Sequence, residues 1–428
     1  MDRGASLQPS RKAVAAVGSL ALEVDPNQVG LDPARLARLD RHLAGYVDSG
    51  RLPGTLVVVA RAGKVAHVSA YGYRDPGTSQ PVETDTIWRI YSMTKPVTTV
   101  AAMMLYEEGA FDLIDPVSRF IPSFGDMRIY QAGPWLAPIT VPAREPIRIW
   151  HLLTHTSGLT YGFFCTHAVD AAYRAAGFEP FASAEDYTLA DACERWAALP
   201  LLFEPGSEWN YSVSTDVLAR VVELISGGSI ADFLAERIFE PLGMVDTGYF
   251  VTEENRSRVA ALYGPDLSTG KLVPSPSPDR VVPTRRPTYC GGGHGLLSTA
   301  SDYHQFAEML RRRGQLDGVR LLSPSTIELM THNHLPGGAD IETYGRPLPP
   351  EGPFAGIGFG LGLSVLLNPA AAKHAGSPGA FGWGGAATTE FFVDPARELT
   401  VAFYTQRLPP DGPLRRQFRQ MIYQALID

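Results

Sequence analysis

The chain has 428 residues, of which 45% are hydrophobic, and its 37 basic and 45 acidic side chains leave a net charge of −8. That is enough apolar material for one large domain or two moderate ones, and the acidic balance implies no basic face suited to nucleic acid. The three cysteines, Cys165, Cys193 and Cys290, form no Cys-x-x-Cys pair and suit free thiols in a reducing compartment, so the cytoplasm is the expected location.

Near the start, Arg11-Lys12 precedes a short Ala/Val/Leu run to Leu22, a weak candidate for an export leader that Gly18 interrupts. No run approaches the roughly 18 apolar residues of a membrane span. From Asp32 to Tyr46, the spacing of Leu36, Leu39, Leu43 and Tyr46 predicts a helix, which Pro53-Gly54 ends. Thr55 to Ala60 then predicts a strand, the turn Arg61-Ala62-Gly63-Lys64 follows, and Val65 to Gly72 completes a hairpin.

Ser92-Met93-Thr94-Lys95 comes next, opening an apolar helix through Leu105. Three residues apart at a helix start, the Ser92 hydroxyl and Lys95 amine share one face, and the helix end field favours an anion there. Of the five lysines, Lys12, Lys64, Lys95, Lys271 and Lys373, only Lys95 sits in a strongly apolar stretch. Burial there would lower its pKa towards the neutrality a general base needs. A serine cap with a lysine reaching solvent is the plainer alternative. The second Ser-x-x-Lys, Ser268 to Lys271, lies between short apolar runs with Gly270 inside and reads as a hairpin turn.

Helical patterns dominate from Ser92 to about Cys290, broken by connectors such as Ala132-Gly133-Pro134 and Ser275-Pro276-Ser277-Pro278. His151 and His155 stand four apart on a predicted helix, but no glutamate follows His151 and no third ligand is evident, so packing or capping is expected rather than metal. His332-Asn333-His334 reads as a loop after the helix Pro324 to Met330. The glycines of Gly291-Gly292-Gly293-His294-Gly295 lack the partners of a phosphate loop and predict close backbone packing. Strand patterns return at Gly356 to Val365, Thr388 to Val393 and Leu399 to Tyr404, and a helix spans about Leu414 to Ile427. Gly-x-Ser-x-Gly is absent, since Gly362-Leu363-Ser364-Val365-Leu366 misses its last glycine. Strands at both ends around a helical middle predict an α/β (α+β) fold: one antiparallel sheet flanked by helices, from residues 1–98 and 292–428, and a mostly helical part, 99–291, with the site at the junction.

Several segments, taken in order, resemble the serine β-lactamase-like superfamily, and most closely its family VIII carboxylesterases: Ser92-Met93-Thr94-Lys95-Pro96, Leu152 to Leu159, Glu204-Pro205-Gly206 running to Tyr211-Ser212-Val213, Pro241-Leu242-Gly243-Met244, Gly291 to Leu296 and Trp383-Gly384-Gly385. The resemblance covers roughly Asp32 to the end. It implies a β-lactamase-like fold with Ser92 as nucleophile and Lys95 and Tyr211 as the groups that take and return its proton, which of the two is the base being left open. It also implies an oxyanion hole from the backbone N–H groups of Ser92 and Ala386. Penicillin-recognising relatives carry Tyr-x-Asn and Lys-Thr-Gly, whereas this chain has Tyr211-Ser212-Val213 and Trp383-Gly384-Gly385. The missing lysine and threonine disfavour β-lactams and D-Ala-D-Ala peptides, and Trp383, with Gly384 and Gly385, offers a flat wall for an uncharged group. The expectation is therefore a serine carboxylesterase that hydrolyses short esters through an acyl-enzyme, with slow cephalosporin hydrolysis possible. Its expected partner is a small-molecule ester, with no metal or organic cofactor, nucleic acid or membrane. The alternatives are an acyltransferase of the same fold, a β-lactamase or DD-peptidase, and a non-catalytic scaffold.

Overall fold

Asp32 accepts the backbone N–H of Ala34 at 2.8 Å, and Pro33 supplies a φ already set for the first turn, so helix α1 runs Pro33–Asp48. The buried leucines of that helix are Leu36, Leu39 and Leu43, and each stabilises the fold by about 1.5–3 kcal/mol relative to exposure. In the computed structural model, residues 20–178, 187–266, 268–346, 348 and 352–427 are described. The leader candidate from Arg11 onward lies, as far as Ser19, outside them.

Strands β1 (Gly54–Arg61) and β2 (Lys64–Asp75) form the expected hairpin, and β3 (Gln80–Pro81) pairs beside β2. Five later strands, β4 (Ile357–Phe359), β5 (Ser364–Leu366), β6 (Phe381–Gly384), β7 (Glu390–Asp394) and β8 (Leu399–Tyr404), complete an eight-stranded sheet in the order β4-β5-β6-β7-β8-β1-β2-β3. Every neighbouring pair is antiparallel, and β1 joins the two ends of the sequence by pairing Leu56 with Tyr404 and Val58 with Ala402.

Successive side chains on these strands alternate between two cores. Val57, Val59, Val401 and Phe403 pack with the leucines of α1 and with Leu414, Phe418 and Ile422 of the last long helix, α5 (Gly412–Tyr423). Leu56, Val58, Phe391, Ala402 and Tyr404 face the larger core. That core also takes in helices α2 (Thr94–Glu107), α3 (Ser214–Ser226) and α4 (Ala300–Arg311). α2 is buried from Thr94 through Leu105 and lies against α3, so the segment with Ser92 at its start is gripped on several sides.

The structure departs from the expected elements in three places. Gly356 to Val365 is two strands, because the chain reverses at Gly360–Leu363, where Gly362 has φ 72° and a Cβ on it would lie 2.0 Å from Thr99 Oγ1. Phe381–Gly384 is a paired strand, where no strand was expected. The stretch between α2 and Cys290 also contains two hairpins, Arg128–Ala132 with Ile139–Pro142 and Tyr263–Pro265 with Leu272–Pro274, so Ala132-Gly133-Pro134 enters a hairpin tip. In the second hairpin, the backbone N–H groups of Ser268 and Thr269 donate to Asp266 Oδ1, which makes the second Ser-x-x-Lys a turn, as expected.

Candidate active site

The short strand Ile87–Arg89 delivers the chain to a 3₁₀ turn, Tyr91–Met93, and α2 follows at once. Ser92 therefore stands just ahead of the α-helix rather than within its first turn, still at the positive end of α2. Tyr91 has φ 46°, a left-handed conformation that costs a non-glycine residue about 1–3 kcal/mol. The strain sits on the residue before the candidate nucleophile and turns the chain sharply there.

Lys95 is 1% exposed. Its Nζ donates to Gly293 O at 2.8 Å and lies 3.4 Å from Ser92 Oγ, the long end of a hydrogen bond. Burial pushes the ammonium down to about 7, against the opposing effect of the Asp216 carboxylate. This cation is thus close to balance with its free amine at neutral pH, whereas a solvated lysine stays protonated to about pH 10.

The third predicted member arrives on the segment before α3. The backbone N–H of Asn210 donates to His155 O at 2.9 Å, and Asn210 Nδ2 donates to Leu159 O at 3.0 Å, which fixes the entry of Tyr211. The Tyr211 ring lies with its centroid 4.4 Å from Lys95 Nζ, and its Oη accepts from Trp383 Nε1 at 3.2 Å. Trp383 is 8% exposed, and its polar edge orients the phenol. His155 falls beyond the short helix Ile149–Leu153, at φ 55°, and packs its ring 4.8 Å from that of Tyr211. Burial, reinforced by the Lys95 charge, holds this imidazole well below its ordinary range, consistent with the packing role expected for it.

Sequence reasoning missed Asp216. In the first turn of α3 an aspartate reads as an ordinary dipole partner, yet this one is fully buried. Its Oδ1 accepts from the Gly293 N–H and from Tyr289 Oη, both at 2.9 Å. The glycine loop is thereby drawn onto α3, where a Cβ on Gly293 would lie 2.5 Å from Asp216 Oδ2 and one on Gly292 would lie 2.3 Å from Thr215 O. Close packing is what the glycines were expected to provide. The loop also turns its carbonyls to account: Gly292 O accepts from Thr98 Oγ1, and Gly293 O is the acceptor that anchors Lys95.

Ser92, Tyr211, Trp383, Gly384 and Ala386 line one cavity of about 850 Å³, together with Tyr161, Tyr289 and His294. Gly385 lies behind its wall, where a Cβ would be 2.3 Å from Ile90 O. Among the described residues, the loop and turn hydrogen bonds leave the backbone N–H groups of Ser92 and Ala386 without an acceptor. No group of three or more His, Cys, Asp or Glu side chains is placed to hold a metal among those residues. No helix there is long and apolar enough to cross a membrane.

The profile of the family described as Beta-lactamase matches residues 39–426. The Mycobacterium tuberculosis protein Rv1367c is 37% identical over 366 residues, 85% of this chain and 88% of its own length. Esterase EstB of Burkholderia gladioli is 33% identical over 419 residues, covering 94% and 99%. Among solved structures, EstCE1, a hydrolase with promiscuous acyltransferase activity, superposes with a TM-score of 0.77 at 29% identity, covering 91% of this chain and 99% of its own. A match running from the middle of α1 past the end of α5, on a sheet and helices of the same kind, places this chain in the Beta-lactamase family.

Proposed function

We propose that the protein is a serine carboxylesterase working through an acyl-enzyme on Ser92. The observation that carries this is the Lys95 amine: buried, tuned to about 7 and aimed between Ser92 Oγ and the Gly293 carbonyl. The Ser92 proton passes to Lys95 or Tyr211, and Oγ attacks the ester carbonyl. The carbonyl oxygen gains the charge and is received by the N–H groups of Ser92 and Ala386, a donor of this kind being worth about 100- to 1000-fold in turnover. The proton returns to the departing alcohol, and water repeats the sequence to release the acid. No step calls for a metal or an organic cofactor. Trp383 stands where penicillin-recognising relatives have the lysine of Lys-Thr-Gly, which favours uncharged esters and leaves β-lactams as slow substrates.

EstB supports the hydrolytic reading, and EstCE1 supports a second activity, transfer of the acyl group to an alcohol in place of water. Three thiols without a disulfide support the cytoplasm as the compartment. The division of labour we infer is between residues 1–98 with 292–428, which carry the sheet, and residues 99–291, which carry Tyr211 and Asp216. Incubation with p-nitrophenyl butyrate should leave a butyryl adduct on Ser92, detectable by mass, and Ser92→Ala should abolish it together with turnover. Full turnover by Ser92→Ala would remove the proposal. Adding a second alcohol and looking for the transesterified ester tests the transfer activity.

A further inference from the structure

We propose that Arg415, on α5, is a positioning residue that aims and polarises the Ala386 N–H of the oxyanion hole. The inference rests on the esterase reading above. β6 and β7 are joined by a turn in which the Gly385 N–H donates to Thr389 O at 2.8 Å and the Thr388 N–H donates to Gly385 O at 3.0 Å. Into this turn α5 inserts the guanidinium of Arg415, which is 7% exposed. Its Nη2 donates to Thr389 O at 2.9 Å and also to Gly385 O. A Cβ on Gly384 would lie 2.9 Å from the guanidinium carbon, so a side chain there would displace it.

Gly385 C=O and Ala386 N–H belong to one peptide plane and point in opposite directions across it. Two donors hold the oxygen on the α5 side, and the N–H is thereby turned the other way, where Ala386 and Ser92 line the cavity. A cation bonded to the oxygen also draws electron density along the peptide and makes the N–H a stronger donor. This hydrogen bond matters most when the substrate oxygen carries charge, so the effect belongs to the transition state rather than to binding.

The helix start is tied to the same turn, since the Asp411 N–H donates to Thr388 Oγ1 at 3.2 Å and Asp411 Oδ1 caps Leu414. Arg415→Met keeps most of the stem and removes the donors, and Arg415→Lys keeps one cationic donor. Active sites are counted by burst titration with p-nitrophenyl butyrate, so that a poorly folded fraction is discounted. In Arg415→Met, kcat per active site should fall about 10- to 100-fold with KM within about twofold, and inhibition by phenylboronic acid, whose tetrahedral adduct fills the hole, should weaken by a similar factor. Arg415→Lys should fall in between, and it carries the test if the methionine variant does not fold. Values of kcat per site and boronate affinity within twofold of the parent, or a loss confined to KM, would overturn the proposal. Should that result accompany an inactive Ser92→Ala, the acyl-enzyme reading stands and only the role of Arg415 falls.

Discussion

Replacing Asp216 by asparagine isolates the electrostatic control of Lys95. In the parent, Lys95 titrates near 7 because burial lowers it and the Asp216 carboxylate partly restores it. If the neutral amine is the active form, kcat/KM on the acid side follows the unprotonated fraction: about a tenth at pH 6, half at pH 7 and nine-tenths at pH 8. Asparagine keeps an oxygen that accepts from Gly293 N–H and Tyr289 Oη but loses the charge. Removing a nearby anion destabilises the ammonium, so the pKa must move down, by roughly one unit for a nearby opposite charge. The acid limb of the profile then shifts to lower pH, and at pH 6 the active fraction rises from about a tenth to about a half, a gain of about fivefold relative to each enzyme's own plateau. The assay is kcat/KM for p-nitrophenyl butyrate from pH 5 to 9, normalised by burst titration. An acid limb that stays in place, or moves to higher pH, would refute the assignment of that limb to Lys95 under the influence of Asp216.

Gly293→Ala should force its Cβ against Asp216 Oδ2, 2.5 Å away, and push back the carbonyl that anchors Lys95. The expected outcome is a loss of about 1–3 kcal/mol in urea unfolding, with kcat reduced by an order of magnitude or more. Trp383→Phe keeps a ring in the cavity but removes the N–H that orients Tyr211 Oη, so kcat should fall about tenfold with KM for short esters little changed, read from steady-state kinetics. Burial raises Asp302, at the start of α4, to about 6, although its Oδ2 accepts from Thr247 Oγ1 and the Asp246 N–H. A folded-state value above the unfolded one means that its contribution is fully present below about pH 4 and is lost as pH rises through 6. Asp302→Asn should therefore remove about 2–3 kcal/mol of the pH dependence of unfolding between pH 4 and 7, measured by denaturant titration at each pH.

The parts of the site that could be read from the sequence are those whose chemistry is local. Ser92 and Lys95 are marked as candidates by their spacing at a helix start, with a capping serine as the alternative until the resemblance is added, and the hairpins at residues 54–75 and 390–404 by apolar runs joined by turn residues. Tyr211 and Trp383 came through resemblance, because nothing in their immediate neighbours says that the two rings meet. Asp216 and Arg415 were invisible for a related reason: an aspartate in a first helical turn and an arginine on an amphipathic helix are commonplace on a surface. Only the packing of α3 under the glycine loop, and of α5 against the β6–β7 turn, takes them out of water. Strand limits around Gly362 were misjudged because the reversal there answers to Thr99, which is remote in sequence.

The pairing of β1 with β8 has a consequence for biosynthesis. When the ribosome has released Ser92, Lys95 and even Tyr211, strand β6 and the turn after it, which carry Trp383 to Ala386, have not yet been made. A nascent polypeptide therefore holds the proposed nucleophile and its own N–H without the proposed second donor at Ala386, and the sheet cannot close until residue 404 has emerged. Hydrolytic power is switched on late, as a property of the finished molecule rather than of any fragment of it.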